Sequence, residues 1–212
     1  MKFNLNQNLL FIIVFVGIGF AALQVPLLHL AGSKAVFTVF DAFGPIAGAF
    51  LGPLPGISAV LLMQLINFLL HGSKAIDIGT LIRFAPMLFA AMYFGQKTKL
   101  NVVVPILSII VFNLNPVGRS VWFYSLFWLI PVVCYFWQDK LLLARSLGAT
   151  FTAHAIGGAI WIWVFRLPGS VWVGLIPVVI IERLVFAFAM SGFYLAIKLI
   201  IEEFKQYAFN TD

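Results

Sequence analysis

Apolar runs follow one another from Leu9 to Ile201, separated only by short polar links. A helix of about 20 apolar residues spans the hydrocarbon of a bilayer. Inside a bilayer the backbone must satisfy its own hydrogen bonds, so runs of this kind are expected as α-helices. Composition removes the soluble alternative. The chain is 63% hydrophobic and 9% charged, with a mean hydropathy of +1.08, where soluble domains carry about 25% charged residues. A soluble fold of 212 residues cannot hide that much apolar surface. The expected fold class is therefore all-α, a polytopic helical membrane bundle forming one integral domain over residues 1–212. It should have six to eight apolar segments, some short or broken.

The expected segments are Leu9–Leu30, Val36–Leu51, Gly56–Leu70, Ile78–Gly95, Val102–Phe112, Val121–Trp137, Leu147–Phe165 and Val171–Ile201. The second and fifth are short for a full crossing. The first is longer than a signal-peptide apolar core and no A-x-A site follows it, so it reads as a retained span. If all eight cross from a cytoplasmic N-terminus, the inside ends hold Lys2, Lys97, Lys99, Lys140, Arg145, Lys198 and Lys205. The outside links hold Lys34, Lys74, Arg119 and Arg166. That excess of basic residues favours cytoplasmic termini. The net charge of +6 is scattered singly between apolar runs, which fits an anionic leaflet rather than nucleic acid. All six tryptophans lie in the second half, and those near segment ends suit the membrane interface.

Within Phe37–Gly72, glycines recur every four residues at Gly44, Gly48, Gly52 and Gly56. On a helix this spacing makes a smooth stripe that another helix can approach closely. Gly17 and Ala21 form a smaller stripe of the same kind in the first span. Pro53 and Pro55 are expected to mark a turn, dividing the stretch into the two arms of a hairpin.

Five ionisable residues fall inside apolar runs: Asp41, Arg83, His154, Glu182 and Arg183. Each charge at bilayer depth costs at least ~2.5–3.5 kcal/mol on insertion scales, so such groups face the bundle interior or a wet cavity. With the amides Gln64, Asn67 and Asn113 they are the candidate substrate-binding residues. Asp41 and Arg83 are one conceivable ion pair. Glu182 and Arg183 are neighbours in sequence and point about 100° apart on a helix, so each is expected to find a different partner. His154 lies among Thr150, Ala153, Gly157 and Gly158 at helical spacing, where a packing role competes with a binding one.

No P-loop, G-x-S-x-G, H-E-x-x-H or dinucleotide motif is present in the sequence, so no catalytic residue is assigned. The lone Cys134 has no Cys/His spacing around it that suits a metal. No cofactor or metal is expected. A buried core position is the expected place for Cys134.

The run "GPIAGAFLGPLPG" after Asp41, with "ATFTAHAIGGAIW" and "PVVIIERLVFAFAM" later, resembles the substrate-binding membrane subunits (S components) of energy-coupling-factor vitamin transporters. The likeness is strongest over Asp41–Asn67. The resemblance implies a subunit of the cell membrane that captures a vitamin or similar small micronutrient for uptake. It also implies separate partners, a transmembrane coupling subunit and two ATPase subunits, which fits the lack of a nucleotide motif here. The family's small-residue face on the first helix is reduced to Gly17 and Ala21. Two other classes stay open: a membrane-embedded enzyme acting on a lipid or peptide, and a scaffold whose buried charges only order helices.

Overall fold

The computed structural model describes residues 5–29, 36–71 and 78–209. Among them the fold is an all-α bundle with one small hairpin. The first helix, α1 (Leu5–Leu23), stops short of the expected Leu30. Pro26 disfavours helical geometry at Val25, and the Gln24 side chain folds back to the Phe20 carbonyl at 3.2 Å. The chain then runs as β1 (Pro26–His29), antiparallel to β2 (Val36–Thr38), with Leu28 opposite Phe37 and an irregularity between Pro26 and Leu28.

The expected first arm of the hairpin is not one helix. It begins as β2 and continues as α2 (Phe40–Phe43), a 3₁₀ turn over Gly44–Ile46, and α3 (Ala47–Phe50). Pro45 has no N–H to offer the carbonyl four residues back, which breaks the ladder at that point. The turn expected at Pro53 and Pro55 falls earlier, at Gly52, whose φ is +92°. Both prolines instead open α4 (Pro53–His71). In the first turn of a helix their missing N–H groups would be unpaired anyway.

Next come α5 (Ile78–Gly95), with the bounds expected from sequence, and α6 (Leu100–Leu114). At 1.5 Å per residue α6 is about 22 Å long, short of the ~30 Å hydrocarbon core. Asn115 caps α7 (Pro116–Ser120) by accepting the Val117 N–H at 2.9 Å. The aromatic segment is a 3₁₀ stretch over Trp122–Trp128 followed by α8 (Leu129–Tyr135), not a single α-helix. The bundle closes with α9 (Leu142–Val164), which starts five residues before the expected Leu147, and α10 (Gly169–Phe209). Among the described residues α4, α9 and α10 are long and apolar enough to cross a membrane, while four further apolar helical stretches are shorter.

α9 is the centre of the bundle, in contact with α5, α6, α8 and α10. It is buried on nearly every side, as expected of a helix whose apolar character has no single face. Its small residues seat rings from its neighbours: Gly148 lies against Tyr93 and Gly158 against Trp128. Two aromatic-rich cores result. One gathers Phe15, Phe40, Phe43, Val60, Met63, Tyr93 and Phe94. The other gathers Phe112, Tyr124, Trp128, Phe151, Ile162 and Trp172. Trp128 and Trp172 are therefore core residues, while Trp122, Trp137 and Trp163 are exposed as an interfacial belt would have them. Cys134 is buried.

The glycine stripe divides its work. A Cβ on Gly48 would fall on the Ala91 carbonyl and the Gly95 backbone of α5, and one on Gly56 would fall on the Gly48 backbone. These three glycines bring α3, α4 and α5 into backbone contact. At Gly44 the nearest atoms to a Cβ are those of the Phe40 ring. Gly52 makes the turn. The break at Pro45 and the turn at Gly52 end the continuous helix that a four-residue stripe requires. Gly17 and Ala21 are also not the packing face of α1. Both are exposed, and nothing lies within 4 Å of a Cβ on Gly17. The helix buries Phe15, Gly19 and Ala22 instead, against Phe43 and Met63.

Candidate functional site

α10 carries Glu182 and Arg183 side by side into the bundle, where they are 5% and 4% exposed. They do face each other: Arg183 Nη2 lies 3.5 Å from Glu182 Oε2. The 100° between adjacent positions is overcome by reach, since both long side chains turn into the same dry space. The contact is long for a charge-assisted hydrogen bond, which favours 2.7–2.9 Å. Arg183 Nη1 donates to Thr150 Oγ1 on α9 at 3.3 Å. Its Nε has no partner among the described residues. The guanidinium is walled by rings, 5.0 Å from the centroid of Phe37 and 4.8 Å from that of Phe186, an arrangement that attracts a cation to the π-faces.

Asp41 reaches this charge from α2, close enough for Arg183 to act on it electrostatically. Its Oδ2 also accepts the Thr38 N–H at 2.7 Å and lies 3.3 Å from Thr38 Oγ1. The acid reaching back three residues resembles the reciprocal half of a capping box. It ties the end of β2 to the start of α2, and so holds Phe37 over the guanidinium.

His154 sits one turn beyond Thr150 on the same face of α9. Its Nδ1 accepts the Trp128 indole N–H at 3.1 Å, and its Nε2 lies 3.0 Å from Tyr124 Oη. An indole nitrogen can only donate, so Nδ1 carries no proton. In the neutral ring the proton is then on Nε2, directed at the tyrosine oxygen. This leaves the Tyr124 hydroxyl proton free to donate elsewhere. Tyr124 in turn lies within electrostatic reach of Arg183 and Glu182.

Four of the five ionisable candidates, Asp41, His154, Glu182 and Arg183, thus gather where α2, α9 and α10 meet. Arg83 lies on α5, with its side chain outside the described residues. Two of the three amides tie helices together. Asn67 Oδ1 accepts from Gln24 Nε2 at 2.7 Å, pinning α4 to the end of α1. Asn113 donates to Ile109 O and Ser125 Oγ, holding α6 to the aromatic 3₁₀ segment. Gln64 is buried with Nε2 unpartnered among the described residues. A groove of about 510 Å³ between α5, α6 and α9, lined by Phe89, Val104, Leu107, Ile156 and Trp163, is apolar throughout and contains none of these groups.

Sequence reasoning missed the partners Phe37, Tyr124, Trp128 and Phe186. Their one signal was aromatic density, which does not say which ring meets which charge. Thr150 was visible only as a neighbour of His154 at helical spacing.

Three comparisons bear on identity. No family model matches the chain, and no solved structure matches it. The chain is similar to an uncharacterized protein of Methanocaldococcus jannaschii, 27% identical over 201 residues that cover 85% of this chain and 67% of the relative.

Proposed function

We propose that this chain is a multi-pass protein of the cell membrane that binds a small solute, a vitamin or comparable micronutrient, and serves its uptake with separate energising subunits. The observation that carries this reading is Arg183. A guanidinium at 4% exposure, loosely paired and with Nε unpartnered among the described residues, is costly to keep unless something else engages it. Phe37, Asp41 and His154 around it are half-buried.

The resemblance to energy-coupling-factor S components supports the same reading. It supplies the partners, a transmembrane coupling subunit and ATPase subunits. The outward-facing Gly17 and Ala21 leave a smooth strip on α1 where a partner helix can lie close. The role assigned is binding rather than catalysis.

Thermal unfolding of the purified protein against a panel of vitamins tests it. A tight ligand raises the midpoint by mass action, and Arg183→Ala should abolish the shift. A shift that survives Arg183→Ala moves the site elsewhere. The hydrogen bond from Arg183 to Thr150 favours one other reading, a scaffold in which the buried charges only order α10 against α9. In that case no panel member shifts the midpoint, and neutralising Glu182 and Arg183 together leaves assembly intact.

A further inference from the structure

The buried side-chain nitrogens and oxygens without a hydrogen-bond partner among the described residues are Gln64 Nε2, Trp172 Nε1 and Arg183 Nε. All three are N–H donors. Arg183 is the one that carries a charge. Its fork is used unevenly. Nη1 is engaged by Thr150 Oγ1, while the edge formed by Nε and Nη2 holds only Glu182 Oε2, at 3.5 Å on Nη2. That edge presents two parallel N–H groups, the geometry a carboxylate takes bidentately. Glu182 is next to Arg183 on the helix and lies too far from this edge to fill both positions. Asp41 is already held by Thr38. Neither acid of the cluster therefore completes the fork.

We infer that the solute bound here carries a carboxylate, and that the Nε/Nη2 edge of Arg183 receives it. This rests on the solute-binding reading above and narrows it to a chemical class. The Phe37 and Phe186 rings lie 5.0 and 4.8 Å from the guanidinium and attract its charge to their faces. A lysine at the same position would keep the charge and lose the two-pronged geometry. The free hydroxyl proton of Tyr124 is a further donor in the cluster.

The test uses full-length protein in detergent and matched probes that differ only in the acid: nicotinate and nicotinamide, pantothenate and panthenol, lipoate and lipoamide, biotin and biotinol. Thiamine, riboflavin and pyridoxine stand as probes without a carboxylate. The expected result is that one of the acids raises the unfolding midpoint, and that its neutral counterpart binds roughly tenfold or more weakly, as loss of a bidentate charged contact requires. Arg183→Lys should weaken the acid by a similar factor and leave the neutral counterpart unchanged. Because Arg183→Lys can also disturb folding, Tyr124→Phe provides a second variant that keeps the packing and removes one donor. A shift from thiamine, riboflavin or pyridoxine alone, or an acid and its counterpart bound equally, overturns the carboxylate inference while leaving solute binding standing. No shift from any probe counts against both.

Discussion

Two buried regions of this molecule are held together in opposite ways. Where α3, α4 and α5 meet, Gly48, Gly56 and Gly95 remove side chains altogether and backbone rests on backbone. Where α2, α9 and α10 meet, long polar side chains fill the space, and their hydrogen bonds are left incomplete at Arg183 Nε. The first contact is closed, and an added side-chain atom there must displace backbone. The second has donors to spare. A tight backbone contact gives rigidity without chemistry, and an unfinished polar cluster gives chemistry at some expense of stability. Their positions fit: α2, which carries Asp41, is joined through Pro45 to α3, which carries Gly48. The rigid contact is thus one short turn from the cluster, and anchors the segment that lays Phe37 and Asp41 over the guanidinium.

The largest effect should come from filling the closed contact. Gly48→Leu must push apart two backbones rather than displace a flexible side chain. That exceeds the ~1–3 kcal/mol of ordinary overpacking in a core. The expected outcome is no folded, monodisperse protein by size exclusion, with Gly48→Ala partly recovered. A folded Gly48→Leu protein would mean that α3 and α5 do not touch as described.

The second effect distinguishes an incomplete cluster from a purely structural one. Arg183→Met alone strands Glu182 in the interior and should lower stability by about 3–5 kcal/mol, as broken buried pairs do. Arg183→Met combined with Glu182→Leu should restore most of it, because apolar side chains of similar volume commonly replace buried ion pairs at little cost. Thermal unfolding of the single and double variants reads both. A double variant as unstable as the single one would show that Asp41 or another group depends on Arg183 as much as Glu182 does.

These two regions also differ in how far they are legible in the sequence. The helical class follows from hydropathy alone, and the bounds of α5 can be read off because polar links flank the apolar run on both sides, Ser73–Asp77 before it and Gln96–Lys99 after it. Gly48 and Gly56 of the tight contact were recognisable by spacing and Gly95 was not, while Gly44 and Gly52 belonged to the same pattern and do different work. Pro45 and the turn at Gly52 decide that, and their effect depends on which side of each proline the helix starts. For the cluster, the ionisable residues stood out because charge is rare in such a chain. Their pairing did not. Adjacent positions on a helix diverge at Cα, yet Glu182 and Arg183 meet because long side chains cancel that divergence. The aromatic partners Tyr124 and Trp128 came from a stretch that hydropathy takes for a plain span.

A smaller effect probes the polar network at His154. Trp128→Phe keeps the ring in its core position and removes the N–H that Nδ1 accepts. The expected cost is ~1–3 kcal/mol, the range for a buried acceptor left unpaired. Nitrogen NMR of the imidazole gives the sharper readout. The parent should hold one tautomer, with the proton on Nε2, and Trp128→Phe should populate both. A parent already mixed would remove the argument that Trp128 fixes the ring, and with it the free hydroxyl proton assigned to Tyr124.

The smallest effect is expected on α1, and it completes the contrast among the glycines. Gly17 belongs to the same residue type and nearly the same spacing pattern as Gly48, but a Cβ there meets nothing within 4 Å. Gly17→Ala should leave the isolated protein unchanged or raise its stability by no more than ~1 kcal/mol, the helix-propensity gain of alanine over glycine. Thermal unfolding of the purified chain checks the sign. A loss of stability in the isolated chain would show that this strip is covered within the fold, by residues other than those that bury Phe15 and Ala22. Unchanged stability with weakened recovery of partner subunits would place the strip at an interface between chains. The same substitution thus separates a glycine that packs the fold from one that is kept small for a neighbour, which spacing in the sequence cannot do.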